Sequence, residues 1–220
     1  MTTCEYFGDW MKVLPKDELP NVIYYVNYNY SHGPCTPEYK NIFKAFELCS
    51  FGECRVVMLG QDPYPQEGVA TGVLFGNKKD TKVVSPSLRV VMNSLDSEGK
   101  CFDITMEHWA RQGILMINSS LTCKVNRIGS DFSIWRPFIS KFLVNLSAVR
   151  EDIVYALFGR QAQSFGPCIS SGIVLEEKHP AFYARYNASM PDRIFNEINL
   201  HLEKPIQWCT NNNKNDQVLS

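Results

Sequence analysis

The stretch RVVMLG at residues 55–60 decides how the rest of the sequence is interpreted. It is short, rich in β-branched side chains and closed by a glycine, which is typical of a buried parallel strand that runs into a loop. Residues 114–118, 153–159 and 173–175 have the same apolar character, and each stretch ends at or leads into a polar residue or a glycine. We therefore predict four strands of one sheet.

Segments with helical spacing separate these strands. Ser85 is predicted to cap a helix whose first position is Pro86, with apolar residues following at helical intervals. The remaining helices are predicted at residues 135–149, 161–165 and 191–202, and upstream at residues 37–49 and within residues 5–30. The alternation of strand and helix predicts an α/β fold, with a four-stranded parallel sheet covered by helices on both faces.

Length and composition suit a single domain, because 220 residues with 45% hydrophobic residues can bury a substantial core. We expect this domain to span residues 1–208 and the polar tail at residues 209–220 to be disordered. No apolar run approaches the roughly 18 residues of a membrane span, and the N-terminus lacks a secretory signal. These features predict a soluble intracellular protein, cytoplasmic or, in a eukaryote, nuclear.

The metal-ligating residue types are scattered. The chain has eight cysteines without a C-x-x-C pair and four widely separated histidines, so we expect reduced cysteines and no metal. The net charge of −1 is unlike the basic footprint of most nucleic-acid-binding proteins. Only local basic groups stand out, one of them formed by Lys78, Lys79, Lys82 and Arg89, and a solvated face is the simplest interpretation of such a group.

Polar residues follow the predicted strands where a ligand would bind. In an open parallel sheet, ligands occupy the crevice beyond the carboxyl ends of the strands. Asp62 comes shortly after the first strand, Asn118 ends the second and His179 follows the fourth. The pattern alone therefore predicts that these three side chains share one site.

The motif GQDPY at residues 60–64 closely resembles the water-activating motif of family 1 uracil-DNA glycosylases. Further elements of that family follow in the same order: GVLF at 72–75, SPSL at 85–88, WARQG at 109–113, INSSLT at 117–122, GRQAQ at 159–163, HP at 179–180 and KPIQW at 204–208. The resemblance spans residues 37–208. It implies a monofunctional enzyme of base excision repair that flips uracil out of DNA and hydrolyses its N-glycosidic bond, leaving an abasic site.

The resemblance also implies roles for the catalytic residues. Asp62, as a carboxylate, would hold the attacking water and stabilise the cationic sugar, and neutral His179 would donate a hydrogen bond to O2 of the departing uracil. The backbone around Gln61 would help at the same oxygen. An isolated aspartate or histidine is more often a capping or core residue, so the motif context carries this assignment.

Three further residues are implied to recognise uracil. Phe75 would stack on the base, and Tyr64 would exclude the C5 methyl group of thymine. Asn118, held in one orientation, would accept from N3–H and donate to O4, a pairing that cytosine cannot satisfy. The alternatives are a core phenylalanine, a tyrosine packed under a turn and an asparagine at a strand end.

The DNA-binding residues implied by the resemblance are Ser87, Gly159, Arg160, Tyr183 and Arg185. Here the sequence departs from the family, because the AFYAR segment at residues 181–185 replaces a Ser-Pro-Leu-Ser loop whose leucine fills the gap left by the flipped base. Tyr183 stands at the leucine position and is predicted to fill that gap, and Arg185 to restore a phosphate contact. Pro65 and this divergent loop resemble the poxvirus members of the family.

Two other functions compete with this one. The first is a catalytically weak family member kept as a DNA-binding subunit. The second is another nucleotide-binding α/β protein, and it lacks support because no G-x-G-x-x-G motif or P-loop follows the first strand. The predicted partners are uracil-containing DNA, single- or double-stranded, and a uracil-mimicking protein inhibitor. We expect a monomer that does not bind membranes.

Overall fold

The computed structural model describes residues 6–81, 83–95 and 103–209. In this part of the chain the strands are β1 (Cys35–Thr36), β2 (Val56–Gly60), β3 (Ile114–Asn118), β4 (Cys123–Lys124), β5 (Val154–Phe158) and β6 (Ile173–Glu177). The four long strands form one parallel sheet in the order β3-β2-β5-β6, and β1 pairs with β4 in a small antiparallel ladder. The predicted four-stranded parallel sheet is therefore confirmed.

The helices are, in chain order, α1 (Leu19–His32), α2 (Lys44–Leu48), α3 (Pro86–Leu95), α4 (Glu107–Ala110), α5 (Phe132–Val149), α6 (Gly159–Gln163), α7 (Pro180–Arg185) and α8 (Arg193–Leu200). Short 3-10 segments lie at Gly8–Lys12, Tyr39–Asn41 and Gly166–Cys168. No helix within the described ranges is long and apolar enough to cross a membrane.

The sheet is buried on both faces, which explains its continuous apolar strands. In β2, the side chains of Val57 and Leu59 join one core cluster with α1 and α5, whereas Val56 and Met58 join a second cluster with α3 and α8. The alternation follows from the two-residue repeat of a strand, which sends successive side chains to opposite faces. Helices on both faces are thus confirmed.

The upstream helices differ from the prediction. The segment at residues 37–49 is interrupted, with a 3-10 turn at Tyr39–Asn41 and a short α2 after it. The chain at Asn41 lies so close to the segment between β2 and α3 that a Cβ added at Gly72 would sit 1.8 Å from the Asn41 carbonyl oxygen. A tertiary contact thus accompanies the break in the helical repeat.

Some predictions fall outside the described residues. Lys82 is one of them, and of the tail predicted to be disordered only Cys209 is described. In the described ranges, Cys35, Cys49, Cys54, Cys123 and Cys168 are free thiols, and Cys35 and Cys123 lie in the small β1–β4 ladder.

Candidate active site

The carboxyl ends of the parallel strands converge on one cavity of about 270 Å³, the strand-end cavity. Gly60 of β2 lies directly opposite Asn118 of β3 in the sheet register, and His179 follows β6 by two residues. Asp62, Asn118 and His179 all line this cavity, as the sequence pattern predicts. Of the other predicted site residues, its walls also contain Gln61, Tyr64, Phe75, Ser87 and Arg185.

The loops after β2 and β3 are fixed to each other by hydrogen bonds. The Ser119 N–H donates to the Gly60 carbonyl at 3.0 Å, and the Ser120 N–H donates to the Gln61 carbonyl at 3.1 Å. The Ser119 hydroxyl donates to the same Gln61 carbonyl at 2.9 Å. A Cβ at Gly60 would approach Asn118 Oδ1 to 2.8 Å, so only glycine allows the amide to lie this close to β2.

Asp62 is held by one backbone contact and has one free oxygen. The Gly129 N–H donates to Asp62 Oδ2 at 2.7 Å, while Oδ1 is buried without a hydrogen-bond partner among the described residues. Burial raises the pKa of Asp62 to about 7, against the opposing effect of the Gly129 hydrogen bond. Oδ1 is therefore the acceptor left for a water or a substrate.

A buried network holds the loop that carries Gly129. Asp131 is fully buried and accepts hydrogen bonds from the Thr122 hydroxyl at 2.6 Å and from the Ser130 hydroxyl at 2.9 Å. The Trp135 indole N–H donates to the Thr122 hydroxyl oxygen at 2.8 Å. A buried carboxylate with several donors is stable only when these donors stay in place, so the network fixes the loop behind Asp62.

The environment of His179 sets its protonation state. Its Nδ1 atom accepts a hydrogen bond from the Ala181 N–H at 3.1 Å, which closes the first turn of α7. Burial lowers the pKa of His179 to about 4, so the imidazole is neutral near pH 7. A neutral ring that accepts at Nδ1 carries its proton on Nε2, which makes Nε2–H a hydrogen-bond donor.

Asn118 is the second buried group with an unused acceptor. Its Oδ1 atom is buried and has no hydrogen-bond partner in the described part of the chain. A buried amide without a partner is costly, and a ligand that donates to it recovers that cost. No described hydrogen bond fixes the orientation of the amide, so the predicted locked orientation stays a prediction.

Phe75 and Tyr64 form apolar walls of the cavity. Phe75 is buried and adopts a left-handed backbone conformation, with φ of +63°, which is unusual for a bulky residue. Its ring packs edge-on against Phe158 and, at 5.9 Å between ring centroids, against His179. The Tyr64 hydroxyl donates to the Phe75 carbonyl at 3.1 Å, so the two aromatic residues hold each other in position.

Comparison with known proteins identifies the family of this chain. A family model for the uracil DNA glycosylase superfamily matches residues 46–203. The curated uracil-DNA glycosylase of Christiangramia forsetii is 32% identical over 204 residues, which cover 88% of this chain and 92% of the relative. The chain belongs to the uracil-DNA glycosylase superfamily.

Solved structures of uracil-DNA glycosylases share the fold. Mimivirus uracil-DNA glycosylase has a TM-score of 0.73 at 22% identity, covering 94% of this chain and 93% of its own. A variant of mimivirus UNG in complex with UGI has a TM-score of 0.79 at 22% identity, with 94% and 89% covered. The UNG of Nitratifractor salsuginis has a TM-score of 0.54 at 17% identity, with 87% and 99% covered. These likenesses confirm the predicted α/β fold.

The residues predicted to bind DNA lie in different surroundings, and of these residues only Ser87 and Arg185 line the strand-end cavity. Ser87 is buried in the first turn of α3, next to a loop that is fixed because Asn77 and Ser85 exchange two hydrogen bonds of 2.8 Å. Arg160 and Arg185 are exposed, and Arg185 lines the cavity. Gly159 has a φ of +85°, and a Cβ there would lie 2.7 Å from His179 Cβ, so this glycine lets the histidine approach.

Tyr183, the residue predicted to fill the gap in the DNA, does not face the protein surface in this structure, so this role stays a prediction. Tyr183 is only 9% exposed, because α7 turns its side chain into the core, where the hydroxyl donates to Glu177 Oε1 at 2.7 Å. The preceding residue, Phe182, points outward instead and is 41% exposed. The Lys178 ammonium lies 4.6 Å from the centre of the Phe182 ring.

Several residues of the site could not be predicted from the sequence patterns described above. Gly129 acts through its backbone N–H, which leaves no signal in the amino-acid type. Ile128 is 66% exposed yet lines the cavity, and an exposed isoleucine between an arginine and a glycine is the signal that points to it. Phe182 is likewise an exposed apolar residue, but its exposure becomes evident only when the helical phase of α7 is known. Within the described ranges, no group of three or more His, Cys, Asp and Glu side chains could hold a metal ion.

Proposed function

We propose that this protein is a uracil-DNA glycosylase that flips a deoxyuridine into the strand-end cavity and hydrolyses its N-glycosidic bond. The observation that carries the proposal is the pair of buried, unused acceptors, Asp62 Oδ1 and Asn118 Oδ1, in a cavity that His179 also lines. Buried acceptors without partners are unfavourable in the free protein. A base and a water that supply donors to them explain why they are retained.

Uracil recognition requires one acceptor and one donor from the same side chain. Asn118 Oδ1 accepts the hydrogen bond of uracil N3–H, and its amide N–H donates to O4. Cytosine offers the opposite pattern at these two positions and leaves the buried amide unpaired, which makes it a poor ligand. Phe75 stacks on the face of the base.

Exclusion of thymine depends on a wall at C5 of the base. Tyr64 lines the cavity, and its hydroxyl is engaged by the Phe75 carbonyl, so the ring cannot swing out freely. The C5 methyl group of thymine therefore clashes with the Tyr64 ring. We assign Tyr64 this steric role.

Cleavage of the glycosidic bond places positive charge on the sugar and negative charge on uracil. Asp62 Oδ1 holds the attacking water, and the carboxylate stabilises the cationic sugar. The Nε2–H of His179 donates to uracil O2, where the negative charge of the leaving group collects. The bond breaks with its electron pair going to uracil N1, the water oxygen bonds to C1′ of the sugar, and one water proton is released to Asp62.

Asp62 has a suitable pKa for this step. Its pKa of about 7 places the carboxyl near the point where it can both ionise and take up a proton at neutral pH. A cationic sugar beside it favours the carboxylate further. His179 stays neutral through the same range because its pKa is about 4.

The DNA is held at the mouth of the cavity. Ser87, Arg160 and Arg185 contact phosphates that flank the flipped nucleotide, and contacts of this kind carry no sequence information. We assign the gap-filling role to Phe182, whose exposed ring can stack between bases. The substrate is uracil-containing DNA of most sequence contexts.

Further properties follow from the same proposal. A protein inhibitor that mimics uracil-DNA would block the strand-end cavity, in keeping with the UGI complexes among the solved structures of similar fold. We propose that the enzyme acts as a cytoplasmic or nuclear monomer, without metal or cofactor. We also propose that residues 1–208 form its glycosylase domain.

The test is release of uracil from a single-stranded oligonucleotide with one deoxyuridine, in the presence of EDTA. We expect free uracil and an alkali-labile abasic site, with no release from matched oligonucleotides that contain thymidine or deoxycytidine. Tight binding without release would favour the alternative, a DNA-binding subunit. The matched variant His179→Gln separates the two functions, because it should lower release about 10²-fold and leave DNA affinity nearly unchanged.

A further inference from the structure

A second cavity of about 310 Å³, the helix cavity, opens between α3 and the region of α7. It shares no lining residue with the strand-end cavity, although the same two helices contribute to both. From α3, Ser87 faces the strand-end cavity and Arg89 faces the helix cavity. From α7, Arg185 faces the first and Tyr183 the second. The two cavities therefore lie on either side of one pair of helices.

Arg89 brings a cation that forms no ion pair within the described part of the chain. Its side chain is exposed, and no carboxylate of the described ranges lies within ion-pair distance. The sole hydrogen bond of this side chain in that part of the chain is a long one, 3.4 Å from Nη2 to the Val84 carbonyl oxygen. Asn93 is one helical turn further on and also lines the helix cavity, as positions i and i+4 share a helix face.

The opposite wall adds polar side chains. Asn187 and Ser189 line the cavity in the segment after α7. Like Asn93, they make no side-chain hydrogen bond to the rest of the described protein, and no acidic residue lines the cavity. Arginine, two amides and a hydroxyl supply many hydrogen-bond donors and one positive charge. This set suits a tetrahedral anion with several acceptor oxygens, such as a phosphate.

Tyr183 explains why the cavity has a fixed shape. Its ring is buried against the core, its hydroxyl is occupied by Glu177, and it forms part of the cavity wall. Helices α3 and α7 also pack directly against each other. Tyr183, which is predicted from the resemblance to fill the gap in the DNA, thus forms part of the structure between the two cavities.

We propose that the helix cavity binds a backbone phosphate of the substrate DNA, beyond the phosphates that flank the flipped nucleotide. This inference rests on the proposed function for the identity of its substrate. A DNA strand that leaves the strand-end cavity and crosses the edge shared by α3 and α7 reaches the helix cavity. There Arg89 pairs with a backbone phosphate instead of water. The contact adds affinity without adding sequence preference.

The first test is a series of single-stranded deoxyuridine oligonucleotides lengthened by one nucleotide at a time, on the 5′ side or the 3′ side. For the wild type, kcat/KM should rise in a step of about tenfold when the strand becomes long enough to reach Arg89. For Arg89→Gln, that step should disappear, while the shortest substrates are cleaved at the wild-type rate. A series without a step in the wild type, or with the same step in Arg89→Gln, overturns the proposal.

The second test measures the salt dependence of binding to undamaged duplex DNA, which does not require catalysis. Loss of one phosphate contact should reduce the slope of log Kd against log salt by about 0.9 for Arg89→Gln. The matched control Arg111→Gln removes the same charge at the residue that follows α4. Arg111 lines neither cavity, so this variant should leave the slope unchanged. Equal slopes for the two variants overturn the proposal.

Two outcomes separate this inference from its premise. If the wild type releases no uracil but Arg89→Gln still lowers the salt slope, the proposed function fails and the phosphate site stands. If inorganic phosphate raises the Tm of the wild type but not of Arg89→Gln, with identical DNA slopes, the cavity binds free anions and the DNA proposal is overturned.

Discussion

The strand-end cavity and α7 (Pro180–Arg185) meet at His179, yet they are built differently. The cavity takes its side chains from strand ends that neighbouring backbone groups hold in register, such as Asn118 opposite Gly60. In α7 the outcome depends on helical phase, which buries Tyr183 and exposes Phe182. The difference teaches that sheet register fixes where a strand-end side chain lies, whereas in a short helix the helical phase decides which of two neighbouring aromatic residues is exposed.

The largest effect should come from Asp62, whose buried Oδ1 atom has no hydrogen-bond partner among the described residues. Asp62→Asn keeps the shape and the Gly129 contact but removes the charge that stabilises the sugar cation, so uracil release should fall about 10³-fold. Single-turnover assays at pH 8 measure this, with the exposed Asp9→Asn as a matched control that stays at the wild-type rate. A loss of less than tenfold would break the assignment of Asp62 to catalysis.

The same variant should be more stable than the wild type at high pH. A carboxyl whose folded-state pKa is raised to about 7 destabilises the fold as the pH rises from its unfolded pKa of 3.8 to that value. Asp62→Asn removes this cost, so its Tm should exceed that of the wild type at pH 8, and the difference should shrink at pH 5. This result also demonstrates that the inactive variant is folded.

The second effect concerns the wall at C5 of the base. Tyr64→Ala removes the ring, so the preference for uracil over thymine should fall about 10²-fold, within the range that a single apolar group contributes. Tyr64→Phe is the matched control, because it keeps the ring and loses only the hydrogen bond to Phe75. Competition assays with both bases measure the ratio, and a variant that still rejects thymine would remove Tyr64 from this role.

The third effect is the pH dependence of kcat/KM, which reports ionisations of the free enzyme. Because burial raises the pKa of Asp62 to about 7, the rate should fall about tenfold from its plateau at pH 8 to pH 6, as the carboxylate is protonated. His179 should add no change in this range, since its pKa is about 4. A profile that is flat from pH 5 to pH 8 would contradict the environment described for Asp62.

The contrast also explains what could be predicted from sequence. Asp62, Asn118 and His179 could be placed in one site because apolar runs identify parallel strands, and strand ends converge by geometry alone. Gly129 could not be found, since a backbone N–H depends on how a loop folds and not on which side chain it carries. The burial of Tyr183 could not be predicted, because a motif aligns positions, whereas the direction of a side chain depends on whether the segment is a helix or an extended loop.

The smallest effects should distinguish the two aromatic neighbours of α7. Phe182→Ala should lower the rate on duplex DNA about fivefold, because a ring that stacks in the vacated gap is lost, and should matter less on single strands, where no stack has to be replaced. Tyr183→Phe should leave both rates within about twofold but lower stability by about 1 kcal/mol, as the buried Glu177 loses a donor. Rates on the two substrates and Tm values for both variants are the measurements. The opposite pattern, with the rate sensitive to Tyr183 and insensitive to Phe182, would require α7 to unwind when DNA binds.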